Sequence, residues 1–429
     1  MLAILGNAAV MTTSPARSLT TSGGVVLYIG ALLGPGLLLL PGLAAAKAGP
    51  ASILAWIGLL ALSGLLAVVF AALGVALPSA AGVNAFAEAG LGSWAGRAVG
   101  WCFLAGIVTG APIVSLIGGT YLAELLGGGR WVAPGAAGVL LLLVVAVTFG
   151  GMRASSGVQL ALVGLLIVIV AVAVAGSAVH ADAAHWTPFA PHGWPAVGSA
   201  AAVLMLSFVG WEAVAPLTAR FANPRRQLPQ VIAFAFAITS ALYLALAVVT
   251  IAALGPNADT PVPLAALLVL ALGPVGTPLA ALAAVLLTLA TTNAYLTGAA
   301  ALARSLTSRQ PENGSPTRRR RDTPPPWLLV TILTCGAMII ALTGVLDAAS
   351  LVTVPSTFFL TVYLGCTLAA CRLLSGAARI AAACATTAVT IVLAFTGWAL
   401  IPAAGVILVA ISARSARFLT PRMARHPRT

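Results

Sequence analysis

The residues with most chemical potential in this chain are Ser207-Phe208-Val209-Gly210-Trp211-Glu212, inside an apolar segment long enough to cross a bilayer. Glu212 is the only acidic residue near the middle of any such segment. A carboxylate there is costly to charge, so its presence marks a functional site. Burial favours its protonated form, which suits a group that gains and loses a proton, or a hydrogen-bonding gate. Gly210 between two aromatic residues suits a helix that opens locally around a ligand. About fifteen residues further on, Asn223-Pro224-Arg225-Arg226-Gln227-Leu228-Pro229 reads as a polar, basic, helix-ending run.

A second break signal lies early in the chain, in Gly30–Gly42. Gly34-Pro35-Gly36 cannot continue an ideal helix, because Pro35 lacks an N–H and its ring collides with the preceding turn. Freed backbone groups at membrane depth persist only where protein or a wet cavity satisfies them. A break here aims the helix opening at Gly36, with its free N–H groups and positive dipole end, into the membrane interior, where it can hold a carboxylate. Carbonyls freed near Phe208–Gly210 can take an ammonium group. Gly34, Pro35, Gly36, Leu37, Phe208, Val209, Gly210 and Trp211 are therefore candidate substrate-binding residues, with Trp211 lining or gating the cavity. Asn293 and Thr297, four apart in another apolar segment, share a helix face. That face is expected to meet the two breaks, with Asn293 touching substrate, and Thr291 and Thr292 offer oxygen to sodium.

The elements that position these residues follow from composition. Of 429 residues, 61% are hydrophobic and 7% charged, and the mean hydropathy is +1.09. A soluble domain carries about a quarter charged residues, so the chain is read as an all-α polytopic membrane protein. Twelve spans are expected, near 24–46, 52–77, 97–125, 133–149, 157–179, 196–220, 230–254, 277–304, 327–346, 349–371, 379–397 and 399–415. The formal charge of +13 resides in short connections. With both ends on one side, 19 of the 21 Lys and Arg residues fall on that side and only Lys47 and Arg130 on the other. That asymmetry places both termini in the cytoplasm of a cell-membrane protein and argues against nucleic acid as the partner of the basic residues.

Several features read as ordinary. Arg318–Arg321, in the Pro- and Ser-rich loop 305–326, is a solvated linker. His180, His185 and His192 share an irregular outer loop without metal-ligand spacing. The five cysteines fall in apolar runs as small buried hydrophobes, so no disulfide, metal or cofactor is expected. The run Met1 to Ser22 is too short and weakly basic for a signal peptide, and Met11 offers an alternative start. The acids Glu124, Asp182, Asp259 and Asp347 are scattered singly, which leaves little for general acid–base work by a membrane enzyme. No ring of charge suggests a selective pore.

Interrupted helices at spans one and six are the sequence pointer to a transporter built from inverted repeats. Gly34-x-Gly36 with Pro41, Pro78-Ser79-Ala80-Ala81-Gly82, and Ser207–Glu212 followed by Asn223-Pro224-x-Arg226-x-x-Pro229 resemble the amino acid/polyamine/organocation (APC) superfamily. Gly151-x-Arg153-Ala154-Ser155-Ser156-x-x-Gln159 and Thr291-Thr292-Asn293-Ala294-Tyr295 are similar to its branch of bacterial neutral amino-acid exporters. The resemblance implies a five-plus-five inverted-repeat core plus two added helices, alternating access and no covalent chemistry. On that pattern residues 1–22 form a cytoplasmic tail, 23–179 the first repeat and 196–371 the second. Residues 379–415 are the last two spans and 416–429 a basic tail. Pro35 stands where the family usually has a small residue, Arg220 where an acid is common, and residues 157–179 lack the lysine of some proton-driven relatives. The scarcity of fixed charge favours a zwitterion with an apolar side chain, because a buried unpaired ion is costly. Pro112, Val114, Leu116, Phe358 and Phe359 are apolar candidates for the cavity lining. The expected partners are a neutral amino acid, protons or else sodium, and membrane lipid. Efflux rests on the exporter resemblance, with uptake as the alternative.

Overall fold

The computed structural model describes residues 20–34, 36–77, 82–149, 156–211, 221–307 and 326–418. Among them the regular elements are all helical: α1 Thr21–Leu32, α2 Gly36–Ala48, α3 Ser52–Ala76, α4 Val83–Leu91, α5 Ser93–Leu126, α6 Val132–Phe149, α7 Ser156–Ser177, α8 Pro195–Leu204, α9 Pro224–Leu254, α10 Pro263–Leu272, α11 Gly276–Thr307, α12 Pro326–Leu342, α13 Ala348–Leu373, α14 Gly376–Ala394 and α15 Leu400–Phe418, joined in places by short 3-10 turns. Seven helical stretches are long and apolar enough to cross a membrane, among them Ser93–Leu126, Arg225–Ala258 and Ala348–Leu373. Large apolar side chains such as Leu142, Val168, Ile339 and Ile401 lie on the outer surface. A water-soluble monomer seldom exposes apolar area on this scale; a bilayer solvates it. The Pro78–Ala81, Gly151–Ser155 and Arg318–Arg321 stretches lie outside the described residues.

Helix starts and stops follow the local chemistry. Thr20 caps α1, its side chain accepting from the Gly23 N–H, and Asp347 caps α13 in the same way through Ser350. At the Asn223–Pro229 run the structure adds to the sequence expectation. The run opens a helix, with Asn223 at the cap and Pro224 in the first turn of α9; residues 212–220, where a preceding helix would end, lie outside the described residues. Proline is well placed there, because its fixed φ is helical and its missing N–H would be unpaired anyway. The Gln227 side chain accepts the Asn223 N–H at 2.9 Å. The cysteine expectation needs correction, since Cys384 is exposed on α14.

Packing sorts most helices into two groups. In one, α5 lies along α11 and α6, with α12 against both α5 and α11. In the other, α1 packs on α9, α2 on α8, and α3 on both α8 and α9. Close approach in the second group depends on small residues. Gly42 of α2 lies against the backbone carbonyl of Thr260, and Gly24 of α1 faces the Phe221 ring. Two short helices had no counterpart in the sequence reading: α4, after the second apolar segment, and α10, after the seventh.

Candidate functional site

The first break lies between α1 and α2. Helix α1 stops at Leu32, and the Leu33 N–H closes the last turn on the Ile29 carbonyl at 2.7 Å. The Gly34 N–H then turns back to the Leu32 carbonyl at 3.0 Å, and Leu37 N–H reaches the Gly34 carbonyl at 3.2 Å. Pro35, predicted to cause the break, lies outside the described residues. The N–H groups of Gly36 and Leu38, in the opening turn of α2, have no intrahelical acceptor. A Cβ on Gly34 would meet nothing within 4 Å among the described residues.

The second break follows α8. A 3-10 turn covers Met205–Phe208, and Val209 then adopts extended backbone with ψ of 131°. Gly210 takes φ of +152°, a region L-residues with side chains rarely adopt. A Cβ on Gly210 would stand 2.6 Å from the Ala31 carbonyl oxygen, so this break presses on the last turn of α1. A Cβ on Gly36 would stand 2.9 Å from Ser207 Oγ. The two breaks therefore meet, and glycine makes the contact on each side. Ser207 Oγ is buried beside the Tyr243 hydroxyl, yet makes no hydrogen bond of acceptable geometry. It is a polar atom without a partner at the opening turn of α2, where unsatisfied groups are costly.

Two tyrosines hold these breaks. The Tyr243 hydroxyl on α9 reaches the Leu32 carbonyl at 2.7 Å and the Ser207 carbonyl at 2.8 Å. Tyr363 on α13 donates to the Phe208 carbonyl at 3.3 Å and accepts the Gly210 N–H at 3.3 Å. The sequence reading missed both. A usable signal was present: the chain has five tyrosines, and Tyr28, Tyr121, Tyr243 and Tyr363 are all buried. A phenol at membrane depth needs a partner, and a broken helix supplies carbonyls.

Phe208 and Trp211 are buried in this conformation. Phe208 packs against Trp56 and Tyr243, with ring centroids 5.9 and 5.4 Å apart. Trp211 is fully buried and donates Nε1–H to Ser63 Oγ at 2.9 Å. Thr148 on α6 donates to Asn293 Oδ1 at 2.7 Å, and α11 packs chiefly on α5. Thr297 is exposed. Phe359 of the expected lining stacks edge-on with Phe103. Leu116 instead packs at the small apolar cluster of Ala137, Leu141 and Met338. Glu212 lies outside the described residues, so its surroundings are not described. A cavity of about 240 Å³ lies elsewhere, between α3, α8 and α14, with purely apolar lining that includes Leu62, Ala201 and Phe395. None of its described lining side chains is polar, so none can orient an amino acid.

The structure thus brings two adjoining helix breaks together inside an all-helical apolar bundle, with donors on one side and carbonyls on the other. Residues 19–413 match the amino acid permease family, and the chain belongs to that family, within the APC superfamily. It is 30% identical over 396 residues to the uncharacterized amino acid permease YecA of Bacillus subtilis, covering 90% of this chain and 92% of that one. It is also 30% identical over 389 residues to the L-methionine/branched-chain amino acid exporter YjeH of Escherichia coli, covering 89% and 92%. The branched-chain amino acid permease BcaP of Bacillus subtilis is 28% identical over 242 residues, about half of each chain (51% and 51%). The protein is thus a multi-pass membrane protein of a transport family, not an enzyme.

Proposed function

We propose that this protein is a secondary active transporter that exports neutral, mainly apolar amino acids by alternating access, with protons as the coupling ion. The observation that carries the reading is the unpartnered Ser207 hydroxyl set against the opening turn of α2. A zwitterion suits that place. Its carboxylate would take the N–H groups of Gly36 and the following residues, with Ser207 Oγ beside them. Its ammonium group would take carbonyls from Phe208–Gly210, and the side chain would extend past Gly34. Leu37 and Trp211 stay in the proposed wall, and Pro35 would keep the break open. Among the described residues no Asp, Glu, Lys or Arg is buried as a whole, although Nη2 of the half-buried Arg97 is shielded; that scarcity of buried charge favours a substrate without net charge. Sodium, with Thr291 and Thr292, is the alternative coupling ion.

The topology belongs to the same proposal: twelve crossings, the first ten forming two inverted repeats, in the cell membrane with both termini cytoplasmic. It is supported by the breaks in spans one and six and by the short helices α4 and α10, which follow the second and seventh spans at equivalent places. Export draws on the exporter at 30% identity, and uptake is the second reading. The test loads cells with a leucine- or methionine-containing dipeptide and follows the intracellular amino acid with and without the gene. Lower accumulation with the gene supports export. Faster entry of external labelled amino acid, with no effect on dipeptide-loaded cells, reverses the direction. Glu212 is the proposed proton carrier: Glu212→Gln should retain exchange and lose pH-driven accumulation, and full pH dependence in that variant would reject the role.

A further inference from the structure

Tyr243 stands where the two breaks meet. Its side chain is 2% exposed. Its ring is wedged between Trp56 and Phe208, with centroids 5.5 and 5.4 Å away. Packing therefore fixes where the hydroxyl sits, independently of the bonds it makes. That hydroxyl is 2.7 Å from the carbonyl of Leu32, the last residue of α1, and 2.8 Å from the carbonyl of Ser207 in the turn after α8. A phenol carries one hydrogen. The two carbonyls share it or take it in turn, and Ser207 Oγ and the Gly34 N–H also lie beside the same hydroxyl. The Leu32 carbonyl also receives the Gly34 N–H at 3.0 Å, so the turn that opens the first break is built around the same acceptor. Gly210 adds direct contact, since its backbone lies against Ala31.

We propose that Tyr243 is a positioning residue that couples the two helix breaks. While its hydrogen is shared, the end of α1 is held against the second break and the site between them is closed. When α1 moves away, the hydrogen passes wholly to the Ser207 carbonyl, so neither state leaves the phenol buried without an acceptor. The inference rests on the transporter reading for its meaning, but the coupling itself is a property of the ligand-free protein.

The test uses the full-length protein in lipid nanodiscs. Tyr243→Phe removes one oxygen and keeps the ring. Hydrogen exchange of the ligand-free variant should be about tenfold faster at both 30–34 and 205–210, the shift expected from about 1.4 kcal/mol, with the rest of α9 unchanged. In proteoliposome counterflow with labelled leucine, the maximal rate should fall about tenfold while half-saturation stays within about twofold. Tyr243→p-aminophenylalanine, whose amine has two N–H donors, should restore both readouts. If the Phe variant does not fold, the amine variant is compared with the natural protein, and a mismatch in either readout overturns the coupling. Faster exchange at one break alone, unchanged exchange, parallel changes in rate and half-saturation, or an amine variant that behaves like Phe also overturn it. Paired exchange changes in a protein that moves no leucine would sink the substrate assignment and leave the coupling standing.

Discussion

Gly210→Ala is the sharpest single perturbation of this architecture. At φ of +152° an alanine backbone is strained, at a cost of order 1–3 kcal/mol. The new Cβ would also stand 2.6 Å from the Ala31 carbonyl oxygen and 3.0 Å from its carbon. These are backbone atoms, so no rotamer change relieves the contact, and overpacking adds about 1–3 kcal/mol. The expected loss is therefore at least about 2 kcal/mol, or α1 shifts away from the break. Gly34→Ala, where nothing lies within 4 Å among the described residues and φ is not positive, should change stability by less than about 0.5 kcal/mol while narrowing the space proposed for substrate. Equilibrium unfolding of both variants by SDS titration in mixed micelles measures the difference. A Gly210→Ala protein as stable as the Gly34→Ala protein, with α1 unmoved by hydrogen exchange, would refute the reasoning about how the breaks touch.

Two further outcomes follow from the same geometry. Ser207→Ala removes an oxygen that makes no well-formed hydrogen bond among the described residues, so stability should hold; binding of leucine or methionine, measured by scintillation proximity, should weaken about five- to tenfold, and an unchanged affinity would remove Ser207 from the site. Asp347 lies outside the spans, where the Ser350 hydroxyl and N–H, aided by Lys47, hold its carboxyl below the ordinary value of 3.8. Its folded pKa is depressed, so the stability it adds is present above 3.8 and is lost as pH falls through the lowered value. The carboxyl is mostly exposed, so the effect should stay under about 1 kcal/mol; protection of the first turn of α13 should fall between about pH 5 and pH 2, and Asp347→Asn should flatten that dependence.

The first break was readable because Gly34, Pro35 and Gly36 are covalently unsuited to a continuous helix, a property of the residues themselves. Gly210 was readable for a related reason, since a glycine between aromatics inside an apolar run marks special backbone. Helices α4 and α10 went unseen because nine or ten residues are too few to cross a bilayer, and a search for crossings passes over them. At Asn223–Pro229 the helix start was not read, because proline interrupts a helix behind it and starts one ahead of it with the same chemistry. The tyrosine clamps were hidden in another way. Their partners are carbonyls on other helices, and Tyr243 binds one that lies 211 residues away in the chain. Asn293 shows the same limit: helical spacing identified its face, but only tertiary packing assigned that face to Thr148.

The outer connection between α7 and α8 has a consequence for how the molecule can be held. The Asp182 N–H and the His185 ring both meet the Ala252 carbonyl near the end of α9. The Ala51 N–H, just before α3, donates to the Phe189 carbonyl at 2.8 Å, and Pro191 sits over Gly49. This stretch is thus fastened to the same helix group that carries both breaks, although it is the linker between the two proposed repeats. On the proposed topology it gives the helix group that carries the breaks an address on the outer surface. A binding protein raised against residues 180–194 would grip the α3 and α9 ends together, and a second foothold on α5 or α11 would turn that grip into a brake on the whole cycle.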